Sequence, residues 1–429
     1  MNNSTIPATE QVGAGGRVDV RLYTLIDNSD RMCSKSPSMH EQDLIELLSS
    51  LIAVPSVNPA HCSDPDITGE RRMADVIEHL FTERGLVIER LDPTGEDRPA
   101  VIGRCNTSDP RRTLMVEMHL DTVGVADMTV PPFQATIRDG KLYGRGSCDM
   151  KGSMAAFLHA LTPERVEACR KQGVELMVVA APDEETGTHG ASHLVQLGIK
   201  ADMAIILEPT RCLPVIAHKG AFWYDVELRG RSGHGSQPAS GVSTNAALAR
   251  FLPELLNIHQ RLAETSPHPL LGASTLNLGR IEGGQTYNII PERTRLHLDR
   301  RVVPSENAEA FVEEIQQLLE DLTQQGLLCG GSITLNQNTL PFATSPDAPL
   351  VTQLQAAITQ VTGSPAPAQG TSWVSDASPF GQVCGQTLVF GPGDIAQAHT
   401  DNEYITLEQL RLGSRIFAVF LDHHLYPPV

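Results

Sequence analysis

The sequence predicts an α/β protein: a mainly parallel sheet interrupted by a smaller, inserted α+β unit of four strands and two helices. Three observations carry this. Short apolar runs alternate with helical patterns at Leu114–Val116, Glu175–Ala181, Met203–Leu207 and Thr387–Phe390, as strands buried on both faces are written. Each run ends at, or leads into, a histidine or a carboxylate. Between Lys219 and Leu340 the order changes to β-α-β-β-α-β, with no such residues clustered.

Length agrees, because 429 residues exceed what one small core organises. A net charge of −18 argues against nucleic acid or an anionic membrane surface as partner, and suits carboxylates that a cation neutralises. No run of 18 apolar residues is present to span a membrane, and the N-terminus lacks the apolar core of a signal peptide. The eight cysteines are scattered without a Cys-x-x-Cys pair, so reduced thiols in a cytoplasmic protein are expected.

Taken in order, residues 1–38 are expected as a disordered or extension tail, with flexible NNST and GAGG stretches. The first domain is expected over 39–218 and again over 341–429, with the insertion over 219–340. Leu44, Leu47, Leu48 and Leu51 recur at helical spacing over His40–Ala53, and Pro55 ends that helix. A second helix over Glu70–Arg84 closes at Gly85, followed by strands at Leu86–Leu91 and Ala100–Gly103. Asp139-Gly140 is a hairpin turn. A glycine-punctuated loop, 144–152, then leads into a helix over Ser153–Leu161. The insertion reads as strands at 221–228, 274–281, 293–301 and 332–335, with helices at 243–262 and 308–322.

Four strand ends bring ligand-type residues: His119, the acid pair Glu184 and Glu185, Glu208 and His399. Asp149 comes from the glycine-rich loop, where it would serve either as a ligand or as a helix N-cap. In an open parallel sheet the C-terminal strand edge is where ligands bind. His119 and Asp121, two apart, suit a metal-bound imidazole whose other nitrogen a carboxylate orients. Three consecutive acids at Asp183–Glu185, beside a buried strand, are costly unless a positive charge meets them.

These residues stand in motifs: HLDTV at 119–123, GRGSCDMKG at 144–152, DEETG at 183–187, EPT at 208–210, AHKG at 217–220, GRSGHGSQP at 230–238, and GPG at 391–393 before His399. In that order, over nearly everything from Met39 onward, the chain resembles the co-catalytic metallo-aminoacylases and exopeptidases, the family that includes acetylornithine deacetylases and succinyl-diaminopimelate desuccinylases. The CDMK loop and the GPG approach to His399 look closest to the acetylornithine deacetylases. The stretch TSWVSDASPF at 371–380, on the substrate side, departs from the pattern.

The resemblance implies two divalent metal ions, zinc first, with cobalt or manganese as alternatives. His119, Asp149 and Glu208 would hold one, and Asp149, Glu185 and His399 the other. It implies a cis Asp149-Met150 peptide, Asp121 orienting His119, and Glu184 as general base toward a metal-activated water. His234 would face the developing oxyanion, reaching the neighbouring subunit of a homodimer or higher homo-oligomer. Asn288 and Arg301 would bind a small-molecule substrate through its carboxylate. The implied reaction is hydrolysis of the amide C–N bond of an N-acyl amino acid. The alternative is the same site acting on another C–N bond, in a dipeptide, a carbamoyl group or an amino-aromatic compound. Outside the motifs, Arg300 reads as a solvated surface residue.

Overall fold

Apolar periodicity becomes two opening helices, α1 (Met39–Ile52) and α2 (Arg71–Glu83). Leu44, Leu48 and Leu51 of α1 and Met73, Ile77 and Phe81 of α2 are buried. These belong to a computed structural model that describes residues 39–264 and 267–424, so the expected tail over 1–38 lies outside the described residues. Strands β1 (Val87–Leu91), β2 (Ala100–Arg104) and β3 (Arg112–His119) follow. A hairpin of β4 (Thr136–Arg138) and β5 (Lys141–Tyr143) turns through Asp139 and Gly140, both at positive φ.

Next come α3 (Lys151–Ala160) and α4 (Pro163–Lys171). The residue capping α3 is Met150, so Asp149 does not cap it. Helix α4 went unread in the sequence, although Thr162 caps it and Pro163 opens it in the usual way. Strand β6 (Val174–Ala181), helix α5 (His189–Gln196), and strands β7 (Met203–Ile206) and β8 (Val215–His218) complete this stretch.

The next six elements are β9 (Gly220–Arg229), α6 (Thr244–Glu264), β10 (Thr275–Gly283), β11 (Arg293–Val302), α7 (Ala308–Gln324) and β12 (Gly330–Thr339). The strands form a separate antiparallel sheet in the order β10-β11-β9-β12. Alternate residues of β9 and β11, among them Tyr224, Val226, Leu296 and Leu298, pack with Phe251 of α6 and Phe311 and Ile315 of α7 in a core of their own. Arg300 corrects its solvated reading. It is buried, paired with Glu306, and lies over the Phe311 ring.

The chain then returns through β13 (Phe342–Ala343), α8 (Pro349–Thr362), β14 (Gln369–Thr371), α9 (Ala377–Phe380), β15 (Gln386–Val389), β16 (Tyr404–Thr406) and α10 (Leu407–Val419). The large sheet runs β1-β2-β6-β3-β7-β15-β8-β13, with β14 pairing β8. Its four central strands, β6, β3, β7 and β15, are mutually parallel. Leu114, Val116 and Met118 of β3 face a core shared with residues of α1, α2, α3, α8 and α10. Met115 faces the opposite layer, with residues of α5 and α9. Burial on both faces explains why these strands read as continuous apolar runs. Among the described residues no helix is long and apolar enough to cross a membrane, and the seven described cysteines are free.

Candidate metal centre

Parallel neighbours end on the same edge, so β3, β6, β7 and β15 converge their C-terminal ends. His119 is the last residue of β3, Glu184 and Glu185 follow β6, Glu208 follows β7, and His399 lies on the loop after β15. Asp149 enters from the loop between β5 and α3, and the Asp149-Met150 peptide is cis. Asp183 and His399 hold left-handed backbone, at φ 62° and 61°. Such conformations in non-glycine residues concentrate at functional sites.

Asp149 divides its two oxygens. Oδ1 lies 3.1 Å from His119 Nε2, and Oδ2 lies 3.4 Å from His399 Nε2. Glu208 Oε1 is 3.8 Å from His119 Nε2, while Glu185 Oε2 is 3.0 Å from His399 Nε2. Two donor groups therefore share one carboxylate: His119, Asp149 and Glu208 on one side, Glu185, Asp149 and His399 on the other. His119 and Asp149 are buried, whereas the His399 side chain is 55% exposed, so the cluster opens on that side. His119 Nδ1 lies 3.0 Å from the backbone oxygen of Asp121. Donating a proton there leaves Nε2 with a free lone pair toward the cluster.

Asp121 anchors the acid loop as well. Its carboxylate accepts the backbone N–H groups of Glu184 and Glu185, both at 3.1 Å, and the Asn58 amide at 2.8 Å. The same amide donates at 2.8 Å to Asp183. Asp183 also meets Arg98, which is paired with buried Glu70. Burial alone would raise the Asp121 pKa, but the neighbouring His119 ring and the bonds from Asn58 and Glu184 N outweigh that and hold it at about 2.

The other acids are pushed the opposite way. Burial lifts Glu184 and Glu208 well above the usual carboxylate range, and with the Asp149 charge it lifts Glu185 to about 7. Bonds to Asp149 and Glu185 raise His399 to about 10, while His119 rises against its burial through Asp121 and Asp149. Glu185 Oε1 is buried without a hydrogen-bond partner. Crowded acids, an orphaned carboxylate oxygen, and imidazole nitrogens aimed inward fit divalent cations. One atom each from His119, Asp149 and Glu185 lie within 4.8 Å of one another. The donors are nitrogen and oxygen only, since the Cys148 thiol turns away to Asp394 O.

The remaining expected site residues lie elsewhere. His234 and Asn288 sit together on exposed loops of the inserted unit, where Gly235 N donates to Asn288 O at 2.8 Å and His234 bridges to Ile289. Arg301, on β11, pairs with Asp299 at 3.0 Å. Among the described residues, no hydrogen bond or ion pair joins these three to the cluster.

Several supporting residues escaped the sequence reading: Asn58, Glu70, Arg98, Arg145, Glu403 and the pair Glu117 and Asp376. Asp376 falls in the divergent stretch. It is buried with both carboxylate oxygens unpartnered, and burial raises its pKa to about 7. Burial, and then Asp376, push the Glu117 carboxyl well up. These two buried carboxyls thus feel one another and the His119 ring. The only available signal was a glutamate inside an apolar strand.

Residues 115–423 match the family Peptidase family M20/M25/M40. Over 362 residues, 82% of this chain and 91% of the relative, the sequence is 32% identical to an acetylornithine deacetylase of Myxococcus xanthus. The fold matches aminopeptidase PepT from Bacillus cereus with a TM-score of 0.70 at 20% identity, covering 89% of this chain and 98% of that one. It also matches the YXEP protein of Bacillus subtilis, described as a dinuclear metal-binding peptidase of the M20 family, with a TM-score of 0.66 at 14% identity. That match covers 89% of this chain and 97% of the other.

Proposed function

This chain belongs to Peptidase family M20/M25/M40 and is a metal-dependent hydrolase of carbon–nitrogen bonds, and from that premise we propose that it cleaves the amide bond of an N-acyl amino acid. The observation that carries this reading is the divided Asp149 carboxylate, with His119 and Glu208 on one side and Glu185 and His399 on the other. His119, Asp149 and Glu208 would hold one divalent ion, and Asp149, Glu185 and His399 a second. Zinc, cobalt and manganese suit such nitrogen and oxygen donors. When bound, the ions would lower the pKa of an attacking water from about 15.7 toward about 7 and polarise the scissile carbonyl.

The chain's own residues do the rest. Glu184 takes a proton from the attacking water and returns it to the leaving nitrogen. Asp121 holds the Glu184 and Glu185 backbone and fixes the His119 ring, so the base and two ligands share one support. His234 donates to the developing oxyanion. Because it stands on the inserted unit, we assign this role to His234 of the partner subunit in a homodimer. Asn288 and Arg301 would grip the substrate carboxylate, with Arg301 exchanging Asp299 for the substrate. The 32% identical acetylornithine deacetylase supports the acyl-amino-acid class.

A panel tests this. The chain loaded with zinc, cobalt or manganese is offered N-acetyl and N-succinyl amino acids, dipeptides, and carbamoyl and amino-aromatic compounds. The expected result is highest kcat/KM on an N-acyl amino acid. Preference for any other class would move the reaction to that C–N bond, and turnover by chain proven metal-free would refute the mechanism.

A further inference from the structure

Glu403 is buried at 0% exposure, four residues beyond His399, and no part of the reaction above uses it. Strand β16 pairs with β5 through Tyr404 and Tyr143, which brings Glu403 beside the loop that carries Asp149. The backbone of that loop wraps the Glu403 carboxylate. Oε1 accepts the N–H of Cys148 at 2.8 Å and that of Asp149 at 3.0 Å. Oε2 accepts the N–H of Gly146 at 3.0 Å and Arg145 Nη1 at 2.7 Å. Four donors, three of them peptide N–H groups, saturate the carboxylate.

The grip is reciprocal. Arg145, also buried, belongs to the Asp149 loop and reaches back to the His399 segment. Its Nη2 donates to Thr400 O at 3.3 Å, next to His399, and its Nε donates to Gly124 O at 3.1 Å. Each segment thus sends one charged side chain into the backbone of the other, and the bonds fall on Asp149 itself and on the residue following His399.

We propose that Glu403 and Arg145 are positioning residues that set the spacing between Asp149 and His399, and so hold the Glu185–Asp149–His399 cation position in shape. This rests on reading the cluster as two cation positions. Asp149 and the Asp121 support serve both positions, whereas His399 serves this one alone, and Arg145 holds the residue that follows it. Loss of the clamp therefore acts unequally on the two. Glu403→Gln retains the size of the side chain but turns an NH2 toward N–H donors, so one pair of bonds becomes a repulsion. Arg145→Lys retains the charge opposite Glu403 and gives up the reach to Thr400 O and Gly124 O.

The test is calorimetric titration of the metal-stripped full chain with Zn²⁺. The Co²⁺ visible spectrum is recorded alongside, and thermal melts serve as the folding control. Wild type should bind two ions. In Glu403→Gln the affinity of the His399 position should fall by about 10–100-fold, as is usual when a partner that orients a ligand is lost, while the other, which shares only Asp149 with it, falls by clearly less. One cobalt band should weaken with it. Arg145→Lys should move the same affinity by less, and it decides the matter if Glu403→Gln does not fold. Two unchanged affinities in the folded variants would overturn the clamp and leave the two-cation reading standing. An equal fall in both affinities would reduce the pair to general scaffolding. A wild-type chain that binds no divalent ion would instead overturn the reading of the cluster, and the clamp with it.

Discussion

Glu184 and Glu185 are adjacent acids with opposite expected phenotypes. Both backbone N–H groups are held by Asp121, so replacing either side chain leaves the loop anchored. The side chains differ. Glu185 Oε2 lies 3.0 Å from His399 Nε2, whereas no hydrogen bond or ion pair ties the Glu184 side chain to the cluster histidines among the described residues. Glu185→Ala removes one of three donors from its cation position, so that metal should be lost first. Glu184→Ala removes none, so metal content should stay at the wild-type level. Its cost falls on chemistry. General acid–base catalysis contributes about 10²–10⁴-fold, or about 2.7–5.4 kcal/mol of barrier. The loss should appear in kcat more than in KM, because the carboxylate acts mainly in the transition state. Glu184→Asp should recover part of it, since it keeps a carboxylate one methylene short of the water. Elemental analysis and steady-state kinetics on the same preparations decide. If Glu184→Ala loses metal and Glu185→Ala keeps it, the roles are exchanged. If Glu184→Ala keeps both metal and turnover, the proton travels by another group and the mechanism fails.

Chelation should abolish turnover and lower the melting temperature, because an ion bound only by the folded chain stabilises it by about 2.7 kcal/mol at 100 times its Kd; an unchanged melt after complete stripping would count against the site. Asn58→Ala leaves buried Asp121 and Asp183 each short of a donor at 2.8 Å, and with charge-assisted bonds worth about 1.5–3 kcal/mol each, urea unfolding should show a loss of several kcal/mol together with reduced kcat. His218 supplies a pH signature away from the cluster. Its ring is fully buried, its Nδ1 donates to Lys219 O at 2.9 Å, and burial pushes its pKa from 6.5 to about 4. The unfolded chain therefore binds a proton that the fold refuses, so this contribution is complete above about pH 6.5 and declines toward pH 4, by about 3 kcal/mol in all. The difference in urea midpoint between wild type and His218→Gln, measured across that range, should carry the slope; a difference that does not change with pH would refute the assignment.

The parallel strands were legible because burial on both faces leaves little but apolar residues in them, and the ligand-type residues stood out at their ends. The β-α-β-β-α-β stretch was legible through its change of period. The supporting web was not. Asn58 lies between prolines in a polar loop, and nothing local distinguishes it from a turn residue; its role comes from Asp121 and Asp183, which are distant in sequence. Glu403 binds peptide N–H groups, which every residue but proline carries, so no residue pattern marks its partners. Arg300 looked solvated because a strand pattern does not say which face a neighbouring helix covers; α7 covers it and brings Phe311 over the guanidinium. Helix α4 was missed because mostly polar residues surround its few buried positions, Val166 and Cys169.

The proposal of Glu184 over Glu185 as base rests on what each side chain meets. A group that carries a proton during turnover must be free to gain and lose it, and a carboxylate committed to a cation gives up that freedom. In the proposed centre Glu185 would be so committed, since its carboxylate meets His399, which also meets the shared Asp149. Glu184 is crowded by protein, and its carboxyl is lifted well above the usual range by burial, with Glu208 adding to the rise. Cations beside it would draw that value back down toward the working pH, where a general base is most effective. The same burial would make a committed ligand costly to leave unpaired and an uncommitted one a better proton acceptor. Asp121 accepts both backbone N–H groups, so any difference in function between the two neighbouring carboxylates would lie in their side chains.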